Sequence, residues 1–165
     1  MLPIISVVGK SKSGKTTLIE KLIPELKKRG YRVGTVKHAS HDFDMDKKGK
    51  DSWRHKAAGA DTVIVASSER IVMVKDENFV QLESIEKYFD DVDLVITEGF
   101  KKEKRPKIEV CCSHKNKTPL CNDDKTFIAL VTDTDISVNV PTFGSEEIEA
   151  LSDLIEKKYL CTGKI

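Results

Sequence analysis

No stretch of this 165-residue chain approaches the roughly 20 consecutive apolar residues of a membrane-spanning helix. The apolar run near the start is short and follows no basic leader, so no secretory signal is expected and the chain is expected to be cytoplasmic. Neither sign of charge is in excess: 28 Lys and Arg stand against 27 Asp and Glu, for a net +1. That balance excludes the whole molecule as a polyanion binder and leaves any anion affinity to a local patch. Aromatics are scarce, at 6%, and none interleaves with a basic run as a single-strand nucleic-acid platform requires. The four cysteines, Cys111, Cys112, Cys121 and Cys161, do not fall into clean C-x₂-C pairs and are expected to be reduced. No repeat or low-complexity tract is present.

At 39% apolar and 33% charged, the composition suits one globular domain over residues 1–165, long enough to bury a core without staples. Its most informative stretch is Gly9-Lys10-Ser11-Lys12-Ser13-Gly14-Lys15-Thr16, followed by Thr17. Every fixed position of the phosphate-binding pattern G-x-x-x-x-G-K-[ST] is met. A β-branched run, Ile4 to Val8, precedes it and an amphipathic helix pattern follows, which is the context the pattern needs. Gly9 and Gly14 let the backbone wrap phosphate oxygens, and the amides of the loop and of the helix start face the anion. Lys15 supplies a point charge, Thr16 a hydroxyl for Mg²⁺, and Ser13 and Thr17 further phosphate donors.

The helix is expected over Lys15–Arg29, with Leu18, Ile19, Leu22, Ile23 and Leu26 as its apolar stripe, Gly30 as its stop, and Pro24 bending it. Further strands are expected at 31–37, 62–66, 70–74, 93–99, 107–110 and 127–131, and a short proline-interrupted edge strand at 138–143. The strands at 62–66 and 70–74 flank a Ser67-Ser68-Glu69 turn and suit either a hairpin or a pair of neighbours. Asp51 is expected to cap a helix over 52–58 that stops at Gly59. Ile85, Tyr88 and Phe89 mark a short helix, and Ser145 is expected to cap a last one whose stripe is Ile148, Leu151, Leu154 and Ile155. Residues 111–125 read as an irregular insert. Strands alternating with helices predict an α/β three-layer sandwich with a largely parallel sheet, ligands lying at the carboxyl ends of its strands.

That rim gathers the other candidates. Glu98 ends its strand there and reads either as a carboxylate for a Mg²⁺ shell or attacking water, or as an ordinary solvated acid. His38, His41, Asp42, Asp44 and Asp46 follow the second strand and read either as completing a metal or substrate site or as a polar loop. Cys111, Cys112, His114 and Cys121 fit no defined zinc spacing. Lys101, Lys102, Lys104, Arg105 and Lys107 form a basic run on the Glu98 rim, either a solvated face or a seat for an anionic substrate. Thr132-Asp133-Thr134-Asp135 keeps the terminal Asp of guanine-reading strings without their Lys, which makes Asp135 a candidate guanine contact.

The ordered blocks extend well beyond the loop: Val36-Lys37-His38, His41-Asp42-x-Asp44-x-Asp46, Gly49-Lys50-Asp51-Ser52, Ala58-Gly59-Ala60, Glu98-Gly99-Phe100-Lys101 and Pro106-Lys107-Ile108-Glu109. With the phosphate loop they make the chain resemble the molybdopterin-guanine dinucleotide biosynthesis protein B family over about residues 4–110. The resemblance implies a P-loop protein that binds GTP with Mg²⁺, hydrolyses it weakly, forms a homodimer, and assists the guanylyltransferase that joins GMP to molybdopterin. It carries nucleotide contacts onto Lys12, Ser13, Gly14, Lys15, Thr16 and Thr17, and the rim carboxylate onto Glu98. Catalytic roles are then expected of Lys15 and Glu98, metal contacts of Thr16, Glu98 and Asp42, and nucleotide contacts also of Gly9 and Asp135. The His/Asp loop and the basic run become candidate surfaces for the pterin phosphate or the partner enzyme. A small-molecule kinase and a metallochaperone GTPase are the rival readings of the same loop. Against the first, Arg54, Arg70 and Arg105 are scattered and mark no lid.

Overall fold

The computed structural model describes residues 2–39, 43, 46–77, 81–111 and 118–161. In chain order the elements are β1 (Ile4–Val8), α1 (Lys15–Lys28), β2 (Val33–Lys37), α2 (Asp51–Ala57), β3 (Thr62–Ala66), β4 (Ile71–Lys75), α3 (Leu82–Glu86), β5 (Leu94–Glu98), β6 (Lys107–Val110), β7 (Phe127–Val131), β8 (Thr142–Phe143) and α4 (Ile148–Ile155), the last running into a π-helical turn, Glu156–Leu160. They divide into two compact units, one of residues 1–38 and 88–165 and the other of residues 39–87.

The first unit is built on a six-stranded sheet in the order β2-β5-β1-β6-β7-β8. Every neighbouring pair in it is parallel. The carboxyl ends of β1, β2, β5 and β7 therefore share one rim, as the strand pattern predicts. β1 and β5 are almost wholly buried, which is why they read as mainly apolar runs, and their buried hydroxyls pair, Thr97 Oγ1 with Ser6 Oγ at 2.9 Å. Ile5, Val7, Ile96, Ile108, Ala129 and Val131 pack on one face with Leu18, Leu22 and Leu26 of α1 and Leu151 and Ile155 of α4. The opposite face holds Val8 and Leu130 against Cys111, Cys121 and Phe127. At the edge, β8 is only two residues long, the proline at 141 having kept the preceding residues out of the ladder.

Several boundaries differ from the sequence pattern. Gly30 stops α1 at φ +91°, as expected, and Pro24 lies inside the helix on its exposed side. α4 starts at Ile148 rather than after Ser145: a turn over 144–147 precedes it, in which the Ser145 amide donates to Asp133 Oδ1 at 2.7 Å and the Gly144 amide to Glu147 Oε2 at 2.6 Å. Phe89 does not extend the apolar side of α3. It packs on Gly34 of β2, where an added Cβ would lie 2.5 Å from its ring. Lys107 is no rim cation either. It opens β6 with a side chain 2% exposed and paired with Asp124 Oδ2 at 2.9 Å. Its ammonium also donates to Thr126 Oγ1 at 2.6 Å. Beside it in β6, Glu109 accepts from the amides of Leu120 and Cys121 at 2.8 and 2.9 Å, which ties down the irregular segment as far as it is described.

In the second unit, β3 and β4 form the expected hairpin, antiparallel from Thr62↔Lys75 to Ala66↔Ile71, closed by the Ser67 amide on the Arg70 carbonyl at 2.8 Å. Asp51 is the first residue of α2 and not its cap. Lys50, extended at φ −73° and ψ 160°, precedes it, and the Asp51 carboxylate sits in the first turn where an anion suits the helix dipole. Gly59, at φ +106°, is the stop.

Candidate functional site

The phosphate-loop residues follow β1 directly and turn into α1. Gly9 takes φ +146°, and a Cβ there would lie 2.4 Å from the Val110 carbonyl oxygen and 2.7 Å from Ser13 Oγ. Only glycine fits so close an approach of two strands' backbones. Lys12 at φ +61° and Gly14 at φ +96° complete the turn, and the Ser13 amide donates to the Lys10 carbonyl at 3.2 Å. Gly14 stands at the N-cap of α1 with no side-chain cap, so the first helical amides are left for a ligand.

Around this turn lies a cavity of about 350 Å³, lined by Ser11, Lys12, Ser13, Gly14, Lys15, Thr16, Thr17 and Glu98. Eight residues, seven from one segment and one from β5, thus line one cavity. The Lys15 ammonium donates to the Gly9 and Lys10 carbonyls at 3.2 and 2.7 Å, which folds it over the turn. The Thr16 hydroxyl donates to Glu98 Oε2 at 3.0 Å across 82 residues of sequence. Glu98 Oε1 lies 3.9 Å from the Lys37 ammonium at the end of β2. Glu98 is thus no solvated strand end: it is drawn into the loop.

Two observations test whether a triphosphate and its metal suit these residues. Ser13 Oγ is buried with no hydrogen-bond partner among the described residues, an arrangement that costs free energy unless a ligand supplies the partner. The Thr16 hydroxyl and the Glu98 carboxylate put two hard oxygen donors side by side, the ligand type Mg²⁺ takes. The fit holds on both counts.

Other sequence candidates fare differently. Asp135 is exposed on the loop after β7 and does not line the cavity. Its neighbour Asp133 is the engaged one, its carboxyl drawn below the usual range by the Ser145 amide. His41, Asp42, Asp44, Cys112 and His114 lie outside the described residues. Asp46 is described, and its side chain caps the amide of Lys47 at 2.8 Å. Cys111 and Cys121 are both buried. Burial first, and then Glu109, pushes Cys121 up to about 12, so it is a neutral packing group rather than a thiolate ligand. Among the described residues no group of three His, Cys, Asp or Glu side chains is arranged to hold a metal. Sequence reasoning passed over the Lys107–Asp124 pair and the contact of His38 with Phe100. In both, the partner lies on a different element, 17 residues away for Lys107 and Asp124 and 62 for His38 and Phe100, so local spacing carried no signal.

With the geometry in place, comparison with known proteins is decisive. A family described as "Molybdopterin guanine dinucleotide synthesis protein B", MobB, matches residues 4–133. The chain belongs to the MobB family. Among relatives, the molybdopterin-guanine dinucleotide biosynthesis adapter protein of Haemophilus influenzae is 40% identical over 158 residues, covering 94% of this chain and 88% of that protein. The Escherichia coli K12 protein of the same name is 36% identical over 163 residues, covering 94% and 92%. Solved MobB structures share the fold. Bacillus subtilis MobB aligns with a TM-score of 0.74 at 27% identity over 93% of this chain and 98% of that one. A structure titled molybdopterin-guanine biosynthesis protein B aligns with a TM-score of 0.71 at 32% identity over 93% and 97%. The parallel sheet flanked by helices is thus the P-loop architecture of MobB.

Proposed function

We propose that this MobB-family chain is an adapter in molybdopterin guanine dinucleotide biosynthesis that binds GTP with Mg²⁺ and hydrolyses it slowly, assisting the guanylyltransferase that joins GMP to molybdopterin. The observation that carries the nucleotide part is the Thr16–Glu98 hydrogen bond beside a loop whose buried Ser13 hydroxyl is orphaned. The adapter part is supported by relatives that bear that name over nearly the whole chain.

In this reading the amides of the loop and of the α1 start bind the phosphates, and Ser13 gives its hydroxyl to one of their oxygens. Lys15 leaves the Gly9 and Lys10 carbonyls for the β- and γ-phosphates. Thr16 and Glu98 hold Mg²⁺, which when bound neutralises charge on the phosphate oxygens. The loop segment contains neither an arginine nor a glutamine to stabilise the leaving charge or orient water, so turnover is slow unless a partner supplies one. A homodimer is part of the proposal. Ile64, Ile71 and Met73 stand on one face of the β3–β4 hairpin at 59%, 72% and 39% exposure, a row of apolar side chains suited to a second copy.

A binding titration of GTP against ATP in Mg²⁺ tests the reading, with Lys15→Ala as control. GTP is expected to bind more tightly than ATP, and the variant to lose triphosphate affinity and turnover. Tight ATP with no GTP binding overturns the guanine assignment, and parent-level turnover in Lys15→Ala overturns the phosphate site.

A further inference from the structure

The carboxylate that reaches Thr16 stands on a turn of unusual construction. Gly99, directly after Glu98, has φ +103°, and Phe100 follows at φ +55°. Glycine adopts such a conformation freely, whereas a bulky aromatic residue does so only where its surroundings impose it. The backbone on either side of Glu98 is already tied down: its carbonyl accepts from the His38 amide at 3.0 Å, and the Gly99 amide donates to the Val7 carbonyl at 3.0 Å. Beyond those bonds, the Phe100 carbonyl accepts from the Glu103 amide at 3.0 Å, and a ring contact backs the turn. The Phe100 ring folds back against the imidazole of His38, with centroids 4.8 Å apart and planes at 55°, a tilted arrangement favourable for aromatic pairs. His38 in turn sits so close to Gly99 that an added Cβ would lie 3.0 Å from its own Cβ. Three residues from two strand ends thus form one packed unit beneath the strand terminus that carries Glu98.

We propose that His38 and Phe100 are positioning residues: their ring contact holds the turn after β5 so that the Glu98 carboxylate meets Thr16 and the metal of the nucleotide site. The inference rests on the Mg²⁺–triphosphate reading above and adds to it a role for His38 that is not ligation. If the rings release, Phe100 returns to the right-handed or extended region that its side chain prefers, and the last side chain of β5 is re-aimed. The imidazole acts here through its ring face and volume, so another aromatic ring at position 38 serves as well.

The test follows binding of a fluorescent GTP analogue as Mg²⁺ is restored after chelation, in the parent protein and in His38→Ala, Phe100→Ala and His38→Phe. The Mg²⁺ concentration for half-maximal tightening is expected to rise about tenfold in the two alanine variants, the usual scale for losing an outer-shell support. Affinity without Mg²⁺ stays at the parent value in all of them. His38→Phe keeps parent behaviour, which an imidazole acting as a ligand cannot explain. Phe100→Leu, which retains bulk, stands in should Phe100→Ala fail to fold, and shifts in the same direction by less. Parent-like Mg²⁺ dependence in His38→Ala, equal loss with and without Mg²⁺, or His38→Phe as weak as His38→Ala each overturns the positioning role and leaves the nucleotide site standing. A parent protein whose triphosphate binding is indifferent to Mg²⁺ overturns the underlying reading and this one with it.

Discussion

At Ser13 the proposed phosphate site rests on an unsatisfied group. Its hydroxyl is buried, 7% exposed, with no partner among the described residues. Removing an unsatisfied buried polar group relieves a desolvation cost, while removing a donor to phosphate loses a charge-assisted bond. Ser13→Ala is therefore expected to raise the stability of the free protein by about 1 kcal/mol and to weaken triphosphate binding about tenfold. Thermal melts and a nucleotide titration read the two effects separately. Lys107 shows the opposite economy, a buried cation with every donor used. Deleting the cation by Lys107→Ala takes the ammonium from Asp124, which keeps its bonds from Thr126, and is expected to cost about 2 kcal/mol, less in Lys107→Met, which keeps the apolar stem. Denaturant melts check the ranking. Asp124 itself is drawn down from 3.8 to about 2, by Thr126 first and Lys107 after it. Its contribution is full above 3.8 and is lost as the pH falls toward 2.

Among the elements, the register of α1 against α4 depends on a few polar groups at their ends. Arg29 at the C-cap of α1 donates to Glu25 at 2.8 Å, Asp153 at 2.6 Å and Glu156 at 2.9 Å. Tyr31, two residues on, donates its hydroxyl to Glu156 at 2.6 Å. That bond raises the phenol from 10.0 to about 12, with burial adding to it. The folded protein holds this proton where the unfolded chain releases it, so the stabilisation is complete below pH 10 and disappears by about pH 12. Tyr31→Phe is expected to lower the melting temperature at pH 7 and to flatten the alkaline decline, which melts across that range measure. Elements with a strong apolar period, such as α1 and β5, were legible from the sequence to within a residue or two. α4 was not, because Ser145 has a cap's side chain but sits in a turn, closed by the Glu147 amide on the Gly144 carbonyl at 3.1 Å, that ends before the helix begins.

For the whole molecule, the β3–β4 hairpin is an isolated two-stranded sheet, and such ribbons are marginal alone in water. Its exposed row of Ile64, Ile71 and Met73 is the feature from which self-association is expected. Ile71→Lys, at a position 72% exposed, is expected to shift the protein from dimer to monomer by sedimentation without lowering nucleotide affinity. A parent protein that sediments as a monomer contradicts the expectation outright. Among the described residues no helix is long and apolar enough to cross a membrane.

The sequence by itself determined the phosphate cradle, the parallel sheet and the family, because each is written in local signals: glycines where only glycine fits, β-branched runs, and an ordered set of short blocks. The tertiary structure alone decided what those residues do to one another. It brought Glu98 to Thr16, buried Lys107 against Asp124, and set His38 on Phe100. Such partnerships join residues about 20 to 80 positions apart and depend on strand order, and neither spacing nor periodicity encodes which strand end lies beside which.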